Sequence, residues 1–458
     1  MSQVPFVALP RGVEPIALVG GFGPITGLSA PAHGAPLGTV LLVPGFTGSK
    51  EDFLELLPML AARGWNAISY DQRGQFQSLG PEDPAAYSLT DFASDAISIA
   101  DQLRTAHATS VHLVGHSFGG LVTREAIRQV LTSDNGNTSR TGDSAAPEQP
   151  SDLFASLTLM ASGPGRLPQD IRELMAPLIA ALPMTTLETV WELMQAAEAA
   201  NGVEPPPPAI HEFLHARFIN NNAVALAAKA QILTDEPDTV DQLAALLPTN
   251  PLPIMVAYGE HDTRWTTTEQ DDMARRLGAR RFIWPVTAHS PAAEHPSWCA
   301  GALHAFFLDA SRRDSRRLGE SADAGLGIGD GGYTGGMELR SPIGLGLDAV
   351  GTARHALVRQ LQAWGLDGRA DDFALIASEM ITNAVRYGKG PLEVVLKTSE
   401  DSIRIEVSDC VTDELPTPRV SADDEPGGRG LLLIEALASD WGVIVTSGVK
   451  TVWAELRL

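Results

Sequence analysis

The chain has 458 residues, enough for two or three hydrophobic cores, and a formal net charge of −23 that argues against nucleic acid or an anionic membrane as partner. Its two cysteines, Cys299 and Cys410, lie far apart, make neither a disulfide framework nor a metal cluster, and suit a reducing cytoplasm. The opening "MSQVPFVALPRG" has no basic stretch followed by a long apolar one, and no apolar run reaches bilayer length, so neither a leader nor a membrane span is expected.

From residue 1 to about 310, buried-strand runs alternate with amphipathic helical patterns. "GTVLLVPG", "WNAISYD", "SVHLVGHS", "LFASLTLMASG" and "PIMVAYGEHD" read as strands, and "EDFLELLPMLAARG" and "TDFASDAISIADQLRTA" as helices. This rhythm predicts a mainly parallel sheet covered by helices. Residues 133–150 are polar, rich in Gly, Pro and Ser, and predict a flexible insertion; 165–248 carry helical patterns without a strand and predict a helical lid.

"GHSFG", Gly115 to Gly119, follows an apolar strand and precedes the helical pattern "GLVTREAIRQV". Two glycines allow the sharp turn that lifts Ser117 above a sheet. A serine nucleophile needs a base, and the base an orienting acid. Asp262 ends "VAYGEHD" and His289 ends "RFIWPVTAHSP", which puts both at the C-terminal edge of the sheet; Glu260 is the alternative acid, His295 is a weaker candidate than His289, and His261 points the other way along the chain and is read as local. The amides of Phe118 and of Phe46, in "VPGFTG", are placed to form an oxyanion hole.

These residues carry a family likeness. Residues 5–310, with "GFTGSKEDF" and "YDQRG", resemble the α/β-hydrolase fold, in particular its lid-bearing esterase and thioesterase-like members. The resemblance implies hydrolysis of a small hydrophobic ester without a cofactor, or a catalytically silent fold used as a ligand sensor. Pro44, where many members have His, does not remove the backbone donors. "HEFLH", His211 to His215, matches H-E-x-x-H, but its third ligand would have to come from Glu236 in a turn-like stretch, so two histidines on a lid helix are expected instead of zinc.

Residues 311–337 are charged, then Gly-rich, and predict a linker. The 338–458 segment predicts helices at 348–364 and 371–387, the strands "LEVVLKT" and "SIRIEVSD", a Gly-rich loop and helix, and the strands "GVIVTS" and "TVWAELRL": an α+β sandwich. In "SEMITNAVRYG", Glu379 and Asn383 are one turn apart. An Asn carbonyl suits Mg²⁺, and a carboxylate beside it suits a general base. Asp409 closes a strand where a carboxylate can accept from an exocyclic amine, and Gly428 and Gly430 stand at a helix entry fit for phosphates.

In this order the segment resembles the histidine-kinase-like ATPase fold, more closely its anti-sigma-factor serine kinases. The resemblance implies ATP and Mg²⁺ as cofactors, Mg²⁺ on Asn383, Glu379 as base, adenine on Asp409 with help from Thr451, and phosphates lined by Gly428, Arg429 and Gly430. It also implies an anti-sigma antagonist or a sigma factor as partner. "CVTD" after Asp409 lacks the D-x-G-x-G glycines of the broader superfamily.

Overall fold

The computed structural model describes residues 8–135, 153–182, 184–200, 202–284, 287–322, 338–343, 350, 353–354, 357–358, 361, 366, 369–389, 392–398, 402–412, 430–446 and 449–458. The expected insertion at 133–150 and helix at 348–364 fall largely outside these residues. The chain divides into two units, Met1–Arg280 with Thr287–Arg316, and Arg281–Val286 with Arg317–Leu458.

The first unit is built on the strands β1 (Glu14–Val19), β2 (Pro24–Ala30), β3 (Gly38–Val43), β4 (Trp65–Tyr70), β5 (Val111–His116), β6 (Phe154–Met160) and β7 (Ile254–Gly259). They lie in the order β1-β2-β4-β3-β5-β6-β7. From β4 to β7 the pairings are parallel, whereas β1, β2 and β4 pair antiparallel. Every residue of β3, β4, β5 and β7 is buried, as expected for strands covered on both faces. The antiparallel β1 and β2 were not among the expected strands; β1 is largely exposed, and Pro24 and Gly27 interrupt the apolar residues of β2.

Helices α1 (Leu56–Ala62), α2 (Leu89–His107) and α3 (Phe118–Asn135) connect these strands. A reciprocal capping box between Ser88 and Asp91 starts α2. Between β6 and β7 lie the helices Gln169–Ala181, Leu187–Ala200, Pro208–Ile219, Ala223–Asp235 and Val240–Ala244, the segment expected as a lid. One buried ion pair fixes it to the core: Arg217 Nη1 lies 2.7 Å from Asp52 Oδ1. A further strand, β8 (Arg280–Trp284), precedes the loop of His289, and the helix Pro296–Ala322 continues into the stretch expected as linker.

In the second unit, β9 (Glu338–Ile343), β10 (Leu392–Thr398), β11 (Ser402–Asp409), β12 (Asp440–Thr446) and β13 (Val449–Arg457) form an antiparallel sheet in the order β12-β13-β11-β10-β9. Burial alternates along β11, so one face carries the core. The helix Ala370–Tyr387 buries Phe373, Ile376, Ala377, Met380, Ile381 and Ala384 there, and Gly430–Leu437 buries Leu431 and Ile434. Strand β9 was not expected, because "ELRSPI" mixes charge and proline.

Candidate active site

Ser117 lies between β5 and α3 with φ of 55°, in the left-handed region that a serine adopts only where its surroundings hold it. The flanking glycines are required by close approach. A Cβ on Gly115 would meet the Gly119 carbonyl oxygen at 2.3 Å, and one on Gly119 would meet the Val43 carbonyl oxygen at 2.3 Å. The G-x-S-x-G spacing is therefore what lets β5, the turn and α3 pack against the end of β3.

His289 Nε2 lies 3.0 Å from Ser117 Oγ, and His289 Nδ1 lies 2.9 Å from Asp262 Oδ1. The Asp262 side chain is fully buried and also accepts from the Arg264 amide (2.9 Å) and Gln270 Nε2 (3.2 Å). Asp262, not Glu260, thus faces the imidazole. His295 stacks on Trp298 instead, and the His261 amide donates to the Thr287 carbonyl.

The loop after β3 lies against the nucleophile, since a Cβ on Gly45 would be 3.2 Å from Ser117 Cβ. Two side chains from the loop after β4 hold it: Gln72 Nε2 donates to the Pro44 carbonyl and Gln75 Nε2 to the Gly45 carbonyl, each at 2.9 Å. Phe46 is half-buried in that loop, and Phe118 begins α3 fully buried.

The His289 loop is held as firmly. Glu294 accepts from the amides of Ala288 (2.6 Å) and Ser290 (2.7 Å), one on each side of His289. His116 Nε2 is 2.7 Å from the His289 carbonyl. Burial pushes the His116 imidazole down to about 4, which keeps it neutral and able to donate that hydrogen bond near pH 7. Gln72, Gln75, Glu294 and His116 were not singled out from sequence. The "YDQRG" stretch holds the first, but its use as a prop follows only from the fold.

The H-E-x-x-H histidines face other partners. His211 Nε2 meets Gln195 Oε1 at 3.1 Å, and His215 Nε2 meets Glu188 Oε1 at 2.7 Å, with Trp191 between the two rings. Among the described residues no three His, Cys, Asp or Glu gather as a metal site, and no helix is long and apolar enough to cross a membrane.

In the second unit Glu379 and Asn383 are half-buried on Ala370–Tyr387. That helix ends against Asp409, where a Cβ on Gly388 would lie 3.0 Å from Asp409 Cβ. Asp409 is buried, accepts from the Val411 amide at 2.7 Å and faces Lys450 Nζ at 3.4 Å. The register pairs Asp409 with Lys450 and Ser408 with Thr451. Thr451 therefore points to the opposite face from Asp409 and meets Ser408 Oγ at 2.8 Å; Lys450 stands where help from Thr451 was expected. Gly428 and Arg429 lie outside the described residues, and Gly430 opens the helix Gly430–Leu437. An Asn carbonyl and a carboxylate one turn apart, with a buried carboxylate at the end of the same helix, fit a magnesium nucleotide as donor set.

A parallel sheet with a strained serine at a strand–helix elbow and a histidine–aspartate pair beside it defines the first unit as an α/β-hydrolase fold. The chain belongs to the alpha/beta hydrolase family, which matches residues 40–302. A histidine kinase-like ATPase domain matches 345–455. A protein of Caulobacter segnis that carries the name carbamate hydrolase RutD is 34% identical over 101 residues, 21% of this chain and 36% of its own length. The protein of that name from Variovorax paradoxus is 41% identical over 91 residues, 20% of this chain and 33% of its own. The chain thus spans about a third of the length of these relatives. A thermophilic esterase structure from Thermogutta terrifontis aligns with a TM-score of 0.48 and 18% identity, covering 65% of this chain and 99% of that one.

Proposed function

We propose that the N-terminal unit hydrolyses carboxylic esters or thioesters through an acyl-enzyme on Ser117. The observation that carries this reading is His289 bridging Ser117 Oγ at 3.0 Å and Asp262 Oδ1 at 2.9 Å. His289 Nε2 takes the hydroxyl proton as Oγ attacks the scissile carbonyl, and Asp262 holds the ring so that Nε2 is the base. The amides of Phe46 and Phe118 receive the oxyanion. His289 then returns the proton to the leaving alcohol or thiol, and water repeats the cycle on the acyl group. The relatives named as carbamate hydrolases support attack on an acyl carbon. Fluorophosphonate labelling tests the reading: label should appear on Ser117, and both label and p-nitrophenyl ester turnover should vanish in Ser117→Ala. Turnover surviving that change would sink it.

For the second unit, we infer an ATP- and Mg²⁺-dependent protein serine/threonine kinase of the anti-sigma type, acting on an anti-sigma antagonist or sequestering a sigma factor. Bound nucleotide would supply the phosphoryl group. Asn383 would hold the metal, Glu379 would accept the proton of the attacking hydroxyl, and Asp409, oriented by Lys450, would hold the base. Transfer of labelled phosphate from ATP to a partner, lost in Asn383→Ala, tests this.

A further inference from the structure

The inserted helices meet the core at a turn that also holds the oxyanion loop. Asn220, Asn221 and Asn222 form the corner between the helices Pro208–Ile219 and Ala223–Asp235. There the Asn222 amide donates to the Gly74 carbonyl at 2.9 Å, and Asn221 Oδ1 accepts from the Phe76 amide at 3.4 Å. Asn221 Nδ2 donates to the carbonyls of Arg217 (2.8 Å) and Phe218 (3.0 Å), so the end of its own helix holds that acceptor in place. The approach is close, since a Cβ on Gly74 would lie 2.5 Å from Ala225 Cβ. Between Gly74 and Phe76 stands Gln75, whose Nε2 donates to the Gly45 carbonyl at 2.9 Å and lies 3.4 Å from the Phe46 carbonyl. Contact therefore runs from the inserted helices through Gly74, Gln75 and Phe76 to the loop that lies against Ser117.

Phe76 is the strained member of this turn. Its φ is 45°, in the left-handed region that a bulky side chain adopts only under constraint and that glycine would take without cost. A turn needed only to reverse the chain has no use for a ring at that angle. The half-buried ring does make a contact: it meets Phe213, on Pro208–Ile219, edge to face with centroids 5.8 Å apart, and Lys50 Nζ lies 4.9 Å from its centroid. The other end of the path is equally specific. The Gly45 carbonyl and the Phe46 amide belong to one peptide. A trans peptide is planar, so a donor fixed on its carbonyl aims its N–H in the opposite direction. Gln75 thereby sets the direction of the Phe46 N–H, and an oxyanion donor acts only if it is aimed before charge develops.

We propose that docking of the inserted helices aims the oxyanion donor, with Phe76 and Asn221 as positioning residues. Phe213 and Asn221 hold Phe76, Phe76 holds the turn at Gln75, and Gln75 orients the Gly45–Phe46 peptide. The serine, histidine and aspartate stay assembled without this contact, but the hole beside them is set only when the inserted helices are seated. The role assigned to the Phe46 amide rests on the ester-hydrolase reading above.

Phe213→Ala and Phe76→Gly break the contact from opposite sides on the full chain. Folding is spared in both, because Phe213 is half-buried and glycine relieves the angle at position 76. Each should lower kcat on a p-nitrophenyl ester by about tenfold with KM within about twofold, short of the about hundredfold that outright loss of an oxyanion donor costs. The double variant should be no slower than the slower single one, since both remove the same contact. Phe213→Tyr, which keeps the edge-to-face pair, should retain most of the rate. An unchanged kcat in both single variants, or losses that multiply in the double, overturns the proposal. Hydrogen exchange on Ser117→Ala needs no turnover: the amides of Gly45 to Gly48 should exchange faster once Phe213→Ala is added. Faster exchange in a chain that cleaves no ester supports the positioning path and fails only the hydrolase reading. Unchanged exchange overturns the proposal whether or not esters are cleaved.

Discussion

His116 Nε2 lies 2.7 Å from the backbone carbonyl of His289, and the two rings sit 5.2 Å apart, so the residue before the nucleophile holds the residue proposed as its base. Glu294 secures the same loop from the two amides flanking His289. His289 is thus fixed through its backbone as well as through Asp262. Catalytic geometry tolerates little displacement, and a shift of about 1 Å can cost about a hundredfold in rate. His116→Ala and Glu294→Ala should each lower kcat by about tenfold or more with a smaller change in KM. His116→Asn, which keeps a donor, should recover part of the loss. Steady-state kinetics on a p-nitrophenyl ester measure this; an unchanged kcat in both alanine variants would mean that Asp262 alone suffices to place the ring.

Arg217 and Asp52 join the inserted helices to the core where both side chains are at most 5% exposed. Burial outweighs the arginine and pushes the Asp52 carboxyl up to about 6, so at pH 7.5 the pair is charged. Removing one partner of such a pair leaves the other charge buried and typically costs about 3–5 kcal/mol. Asp52→Asn should lower the denaturant midpoint at pH 7.5 accordingly. Asp52→Asn combined with Arg217→Met should recover most of that loss, because the buried guanidinium is removed together with its carboxylate. A double variant as unstable as the single would show that packing, not charge, governs the junction.

His112 gives a pH dependence of definite sign. It is buried against Trp65 and Phe307, its Nδ1 meets Ser156 Oγ at 2.8 Å, and desolvation pushes its imidazole down from 6.5 to about 3. Between about pH 3 and 6.5 the unfolded chain therefore binds a proton that the folded chain does not. Stability falls as pH falls through that window. Asp52 and Asp71, both raised to about 6 by burial, act in the opposite direction. Comparison with His112→Gln cancels their effect. The stability lost between pH 7 and pH 4.5, measured by urea unfolding, should be smaller in His112→Gln than in the wild-type chain. Equal losses would mean that His112 is charged in the folded state.

What the sequence revealed follows from where the information is local. The strands β3 to β7 were legible because burial on both faces leaves continuous apolar runs, and Ser117 because its two glycines answer a steric demand within five residues. Asp262 and His289 were legible because chain order and strand ends place them together. β1, β2 and β9 were not, since they carry exposed or proline-interrupted residues. Glu294 and His116 acquire meaning only from what they touch across the fold. The face on which Thr451 lies is set by strand register, which no residue near it announces.

Asn383 and Asp409 offer the last test. The helix that carries Asn383 ends at Gly388 against Asp409, so metal and base would be held by neighbouring parts of one surface. Asn383→Ala removes the neutral carbonyl and should abolish magnesium-dependent ATP binding. Asp409→Asn, which also removes a carboxylate from Lys450, should weaken ATP and shift the preference among purine nucleotides, because one of the two acceptor oxygens becomes a donor NH2. Titration with ATP, GTP and ADP, each with and without Mg²⁺, reads both effects. Ester turnover should persist in Asn383→Ala, since that residue lies in the other unit. Turnover that responds to ATP in the wild-type chain but not in Asn383→Ala would show that the two units communicate. A response absent from both would leave them as tethered, independent activities.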